Sequence, residues 1–254
     1  MKIKKGKSMF LKSKYLSKIL LSSLTLAFLS CDDGRIYEEE YVPDTSGKVM
    51  KLSAQISGFD TWARGYSVVL AGFEEGNEYA VITKPVPHPK EDNEKVEMIM
   101  SGIPNNVSNL QLCVVNRQRV LVHTYAKMKC DANATDTIRM ENVVADVNMY
   151  DAVQQQVFND VEYSCYRCHS GKSPAGNLQL VDGQSYSSLM HKKSGVDKDK
   201  NAIAPGDADA STLYLILGTE LGKQCAYDHS NILINSYTDI ALIKDWINNG
   251  AKEK

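Results

Sequence analysis

A chain of 254 residues with a net charge of −2, 43% hydrophobic and 24% charged, has a globular composition and room for two modest domains. Lys/Arg clusters are confined to the first eighteen residues, so a nucleic-acid binder's electrostatic footprint is excluded. With no internal repeat or low-complexity tract, the six cysteines and five histidines become the residues to follow.

Met1 to Lys18 holds seven lysines and no acid, and an apolar run from Ile19 to Leu29 ends at Phe28-Leu29-Ser30-Cys31. A basic stretch, a short apolar stretch and a small residue before cysteine resemble a bacterial lipoprotein signal peptide. The resemblance implies cleavage before Cys31 and a lipid on its thiol, although Phe28 and Leu29 stand where Leu and a small residue are usual. A retained transmembrane helix is the rival, and the run is shorter than the roughly 20 residues a bilayer needs. The expected organisation is therefore a leader over 1–30 and an acidic tether over 31–47, carrying Asp32, Asp33 and Glu38 to Glu40. Acids directly after the lipid cysteine resemble the surface-export signals of Bacteroidetes-type lipoproteins, so the mature chain is placed in the cell envelope, anchored to the outer membrane.

From Lys48 to Asn148 the hydrophobic pattern has period two. Val49–Ile56, Tyr66–Phe73, Glu78–Thr83, Lys95–Met100, Leu110–Val115, Arg119–Lys127 and Thr137–Val147 read as strands. Turn signals such as Ser57-Gly58, Glu75-Gly76-Asn77 and Pro104-Asn105-Asn106 separate them. About seven short strands in a hundred residues predict an all-β, immunoglobulin-like sandwich. His88 lies between prolines and His123 within a strand, and neither has a nearby ligand partner in sequence. Trp62 and Tyr66 are expected in the core beside a strand.

The chemistry is concentrated at Cys165-Tyr166-Arg167-Cys168-His169. Two thiols one helical turn apart span roughly the separation of two porphyrin vinyl groups, and the next residue offers an imidazole to the iron. The motif therefore predicts covalent haem c, one group, bound by Cys165 and Cys168 with His169 on the metal. A zinc site would need further Cys or His at ligand spacing, and neither a second C-x-x-C nor an H-x-x-x-H follows. A thioredoxin-like dithiol would follow a strand in a βαβ unit, which the local pattern lacks. Cys113, Cys130 and Cys225 remain, an odd number that permits at most one disulfide.

Around the motif, Val153, Val157, Phe158 and Val161 recur at helical spacing before Cys165, and Ile240, Ile243, Trp246 and Ile247 do so after Ser236, with Gly250 as stop. Ser211 is expected to cap a helix starting at Thr212. Gly176-Asn177-Leu178-Gln179-Leu180, Ser185 to Leu189, Pro205-Gly206-Asp207 with Ser211 and Leu213-Tyr214, and Trp246-Ile247 with Gly250-Ala251 then follow the motif in order. This series resembles the planctomycete-type cytochrome c domain, over about Asp151 to Lys254. The resemblance implies a small all-α cytochrome c-like domain over 151–254, behind a β-sandwich over 48–148.

Relatives in that family place a Met-Pro roughly seventeen residues before the closing Trp, with the Met sulfur on iron. No Met-Pro occurs here, and the same distance back from Trp246 falls on His229. A second imidazole would lower the potential relative to a His/Met haem. Met190, His191 and Cys225 are the rivals for the position, and an open site is the remaining case.

The expected function is a lipid-anchored monohaem c-type cytochrome that carries electrons to or from a redox partner protein and is not an enzyme. Two other classes stay open. A vacant sixth position would suit a peroxidase-like enzyme or gas sensor, and a structural haem would leave a surface adhesion or assembly lipoprotein.

Overall fold

The computed structural model describes residues 47–131, 137–190, 192–233 and 235–254; the leader, Cys31 and the tether up to Ser46 lie outside them. Seven strands form two sheets: β1 (Lys48–Ser57), β2 (Ser67–Phe73), β3 (Ile82–Pro85), β4 (Lys95–Ile103), β5 (Asn109–Val115), β6 (Leu121–Lys129) and β7 (Ile138–Asp146). One sheet has the order β4-β1-β7, the other β3-β2-β5-β6. Alternation along β1 and β4 buries Met50, Leu52, Ala54 and Ile56, and Val96, Met98 and Met100, against Val68, Leu70, Leu110, Leu112 and Val114 of the facing sheet. The central strands β2 and β5 are apolar throughout because both of their faces are covered. Val69, Ala71, Phe73, Cys113 and Val115 form a separate cluster behind the sheet with Ala80. The strand order departs from the ABED/CFG arrangement of constant-type immunoglobulin domains. Here β1 and β2 lie in different sheets, and β1 pairs in parallel with β7.

After β7 come α1 (Met149–Val153), a π-helical turn (Gln154–Phe158), α2 (Cys165–Cys168), α3 (Ser185–Met190), α4 (Thr212–Gly218), a 3-10 turn (Glu220–Gln224) and α5 (Tyr237–Asn248). The expected fold class is corrected at this point. The described chain is mostly β-sheet followed by a few short helices, and a small all-α cytochrome-like domain is not present among the described residues. Residues 47–254 belong to one compact unit.

The physical reason is visible at the first helix. Its predicted apolar face holds through Val153, Val157 and Phe158, all fully buried, but the backbone widens into a π turn and ends at Asn159. A wider turn breaks the 3.6-residue register, so Val161, expected on the same face, is 71% exposed. The helical segments instead share their core with the sheets. Trp62, Ala63, Tyr66 and Val122 pack against a cluster built from α1, α4 and α5. Trp62 Nε1 donates to the Val147 carbonyl, Tyr66 OH donates to Asp245 at 2.9 Å, and Asn249 Nδ2 donates to the Thr61 carbonyl at 2.8 Å. Within that core Trp246 lies on Tyr150 with ring centroids 5.0 Å apart.

Two expected caps have different outcomes. Ser236 accepts from the Asp239 amide and starts α5. Ser211 stands at the N-terminus of α4 but makes no cap bond; its hydroxyl turns back to the Ala204 and Asp207 carbonyls and fixes the Pro205-Gly206-Asp207 loop.

His123, on β6, sits at the seam with α1. It is 8% exposed, its Nδ1 accepts from Gln156 Nε2 at 2.8 Å, and its Nε2 lies 3.8 Å from Asp151. Burial lowers its pKa from 6.5 to about 4. Between those values the unfolded chain binds a proton that the folded chain refuses, so stability falls as pH drops from 6.5 toward 4. Urea unfolding at pH 7 and pH 5 is expected to show His123 contributing about 2 kcal/mol to that loss. Burial raises the Asp151 pKa, which acts in the opposite sense. The difference between the parent and His123→Gln therefore isolates the histidine, and equal pH slopes in the two would rule this origin out.

Candidate haem-binding site

The turn ahead of the motif is set by Asp160, whose Oδ1 accepts from the Glu162 amide at 2.7 Å. Ser164 then takes a left-handed conformation, φ 55°, and its hydroxyl closes on the Val161 carbonyl at 2.6 Å. From there Cys165 to Cys168 form one helical turn, and the His169 amide donates to the Cys165 carbonyl at 3.0 Å. Both thiols and the imidazole thus project from a single turn. This is the arrangement two thioethers and an axial ligand require.

The two cysteines differ in setting. Cys165 is half-buried, 3.6 Å from the Val157 carbonyl, and burial pushes its thiol up to about 11. Cys168 is exposed. The motif follows a π-helical turn rather than a strand, so it does not stand where a thioredoxin-type dithiol does. None of the five described cysteines is paired in a disulfide, Cys113, Cys130 and Cys225 included.

His169 is half-buried with its Nδ1 3.0 Å from the Ala175 carbonyl and 3.3 Å from the Leu178 carbonyl. Two acceptors assign the proton to Nδ1 and leave the Nε2 lone pair for a metal, the orientation that outer partners commonly impose on ligating histidines. Burial, chiefly, lowers the His169 pKa and keeps the ring neutral, as a ligand must be. The carbonyl of His169 accepts from the Leu180 amide at 2.8 Å, so the strap that supplies the Leu178 carbonyl is tied to the residue it orients.

His229 stands opposite. Its Nδ1 donates to the Tyr227 carbonyl at 2.6 Å, which again leaves Nε2 free, and Tyr227, 68% exposed, meets the ring edge-on. The His169 and His229 ring centroids are 6.2 Å apart, with the planes at 49°. An imidazole nitrogen lies roughly 2 Å from the metal it binds, so two imidazoles sharing one ion across its axis have centroids roughly 6 Å apart. The 6.2 Å separation is of the size that one iron held by both rings would require.

The rivals are placed otherwise. Met190 packs against the second core, beside α3's buried Leu189, and His191 lies outside the described residues. The Cys225 amide donates to the Gly222 carbonyl at 3.3 Å, and burial raises its thiol pKa. Among the described residues no group of three or more His, Cys, Asp or Glu is assembled for a metal ion. The carbonyls of Ala175, Leu178 and Tyr227 escape sequence reasoning, because backbone groups carry no residue signature.

Compared with known proteins, the chain matches no protein-family model and no curated protein.

Proposed function

We propose that this protein is a lipid-anchored, extracytoplasmic monohaem c-type cytochrome that carries electrons. The observation that supports this best is the proximity of the His169 and His229 rings, 6.2 Å between centroids, beside a C-x-x-C-H turn. Cys165 and Cys168 would hold the porphyrin by thioethers, and His169 and His229 would hold its iron. When bound, haem c supplies a one-electron Fe(III)/Fe(II) couple.

The chain's own part is to orient and to shield. Carbonyls of Ala175 and Leu178 orient one imidazole, and that of Tyr227 orients the other, which would hold both rings in place toward a bound metal. Cys165 sits against the Val157 backbone while Cys168 faces solvent, which leaves one edge of the site open to a redox partner protein. The acidic tether and a lipid on Cys31 would hold the chain at the outer membrane, on the side of the cytoplasmic membrane where haem c is attached. The resemblance of residues 151–254 to planctomycete-type cytochrome c sequences supports the same function.

An optical redox titration of the haem-loaded chain tests this reading. A single reversible one-electron wave is expected, at a potential below that of His/Met cytochromes. A chain that accepts no electron reversibly would contradict it.

A further inference from the structure

We propose that Gly222 and the Asp228–Ser230 turn seated on it form a positioning clasp for the His229 imidazole; the inference rests on the haem reading above. His229 lies in a loop between the 3-10 turn and α5, and a ligand on a loop holds its geometry only where the backbone is tied to something regular. The tie is at Gly222. The His229 amide donates to the Gly222 carbonyl at 3.2 Å, and the Cys225 amide shares that acceptor.

The 3-10 turn that presents the carbonyl is itself fixed, since the Thr219 hydroxyl accepts from the Leu221 amide at 3.2 Å and the Gly222 amide donates to the Thr219 carbonyl at 3.2 Å. On the other side, Asp228 Oδ1 accepts from both the Ser230 amide, at 2.9 Å, and the Ser230 hydroxyl, at 2.6 Å.

Seating the turn this closely requires glycine. A Cβ on residue 222 would stand 2.5 Å from the Ser230 nitrogen and 2.9 Å from the His229 carbonyl carbon, and closer still to the Ile216 carbonyl oxygen. All three neighbours are backbone atoms, which cannot swing aside as a side-chain end can. The added carbon meets the Ile216 carbonyl of α4 on one side and the 228–230 turn on the other; the helix is the firmer of the two, so the turn is expected to yield and displace the imidazole.

The test compares Gly222→Ala, Asp228→Ala and His229→Ala with the parent, each as the full chain matured with haem in an exporting host. Absorption spectra and carbon monoxide binding to the reduced proteins are recorded. Gly222→Ala is expected to keep covalent haem, to take on the His229→Ala spectrum and to bind carbon monoxide, with added imidazole restoring the six-coordinate spectrum to both. Asp228→Ala, which loosens the turn without adding atoms, is expected to bind carbon monoxide, which the parent refuses. A Gly222→Ala protein with the parent's spectrum and no carbon monoxide binding, beside a His229→Ala protein that has lost both properties, overturns the clasp alone. A His229→Ala protein with the parent's spectrum overturns the ligand assignment and the clasp together. Where Gly222→Ala fails to accumulate, parent-like refusal of carbon monoxide by Asp228→Ala overturns the clasp.

Discussion

Reduced His229→Ala is expected to bind carbon monoxide where the parent does not, and to lose the parent's six-coordinate low-spin spectrum. The expectation follows from the pairing of two imidazoles whose centroids lie 6.2 Å apart and whose Nδ1 groups are both committed to carbonyls. On the haem reading, removing the His229 ring would leave His169 as the one imidazole available to the iron. The substitution costs little stability, since His229 is only partly buried and its one side-chain hydrogen bond runs to a carbonyl two residues away. The electronic change is thus separable from unfolding, which thermal melts of the two proteins would verify. Carbon monoxide binding by the parent itself would mean that the sixth position is open. It would move the protein toward the gas-sensing or peroxidase-like class.

The second large effect is expected from Cys165→Ala/Cys168→Ala. Cys168 is exposed, and Cys165 gives up only half-buried contacts and a 3.6 Å approach to the Val157 carbonyl. A stability loss of about 1 kcal/mol is the appropriate scale. Covalent haem attachment, if it proceeds through these two thiols, would in contrast be abolished, because both thioethers would be lost together. The double variant should therefore fold, bury the same cores and carry no covalent haem. His169 keeps its two carbonyl partners in that variant, so haem added to it binds only by coordination and is released on denaturation.

The sheets were largely legible because their strands obey simple patterns. Val49–Ile56 and Lys95–Met100 alternate, and the alternation places Met50, Leu52, Val96 and Met98 inward. Leu110–Val115 reads as a strand from its apolar run alone, and the run is explained by burial on both faces of β5. Strand order was not legible. The parallel β1–β7 pair joins segments separated by the whole module, and no local signal encodes that pairing.

The helical half shows the converse error. Periodicity at Val153, Val157 and Phe158 describes a real buried face, but extrapolating it to Val161 misses a π turn that hydrophobic spacing cannot reveal. The all-α domain implied by the family resemblance is likewise absent from the described residues, where short helices share contacts with Trp62, Tyr66 and Val122. At the candidate site the motif is local, so Cys165, Cys168 and His169 could be read directly. His229 came from the count suggested by a resemblance, and the structure brings it beside His169. Gly222 could not be found that way, since its importance lies in backbone atoms seven and eight residues on, which become neighbours only in the folded chain.

Haem-stained denaturing electrophoresis tests the central claim most directly, with the parent and Cys165→Ala/Cys168→Ala exported in a host that matures c-type cytochromes. The haem assignment predicts stain that survives denaturation in the parent and is absent from the double variant. An unstained parent, beside a control cytochrome that stains, would contradict it and direct the search for function to the β-sheets.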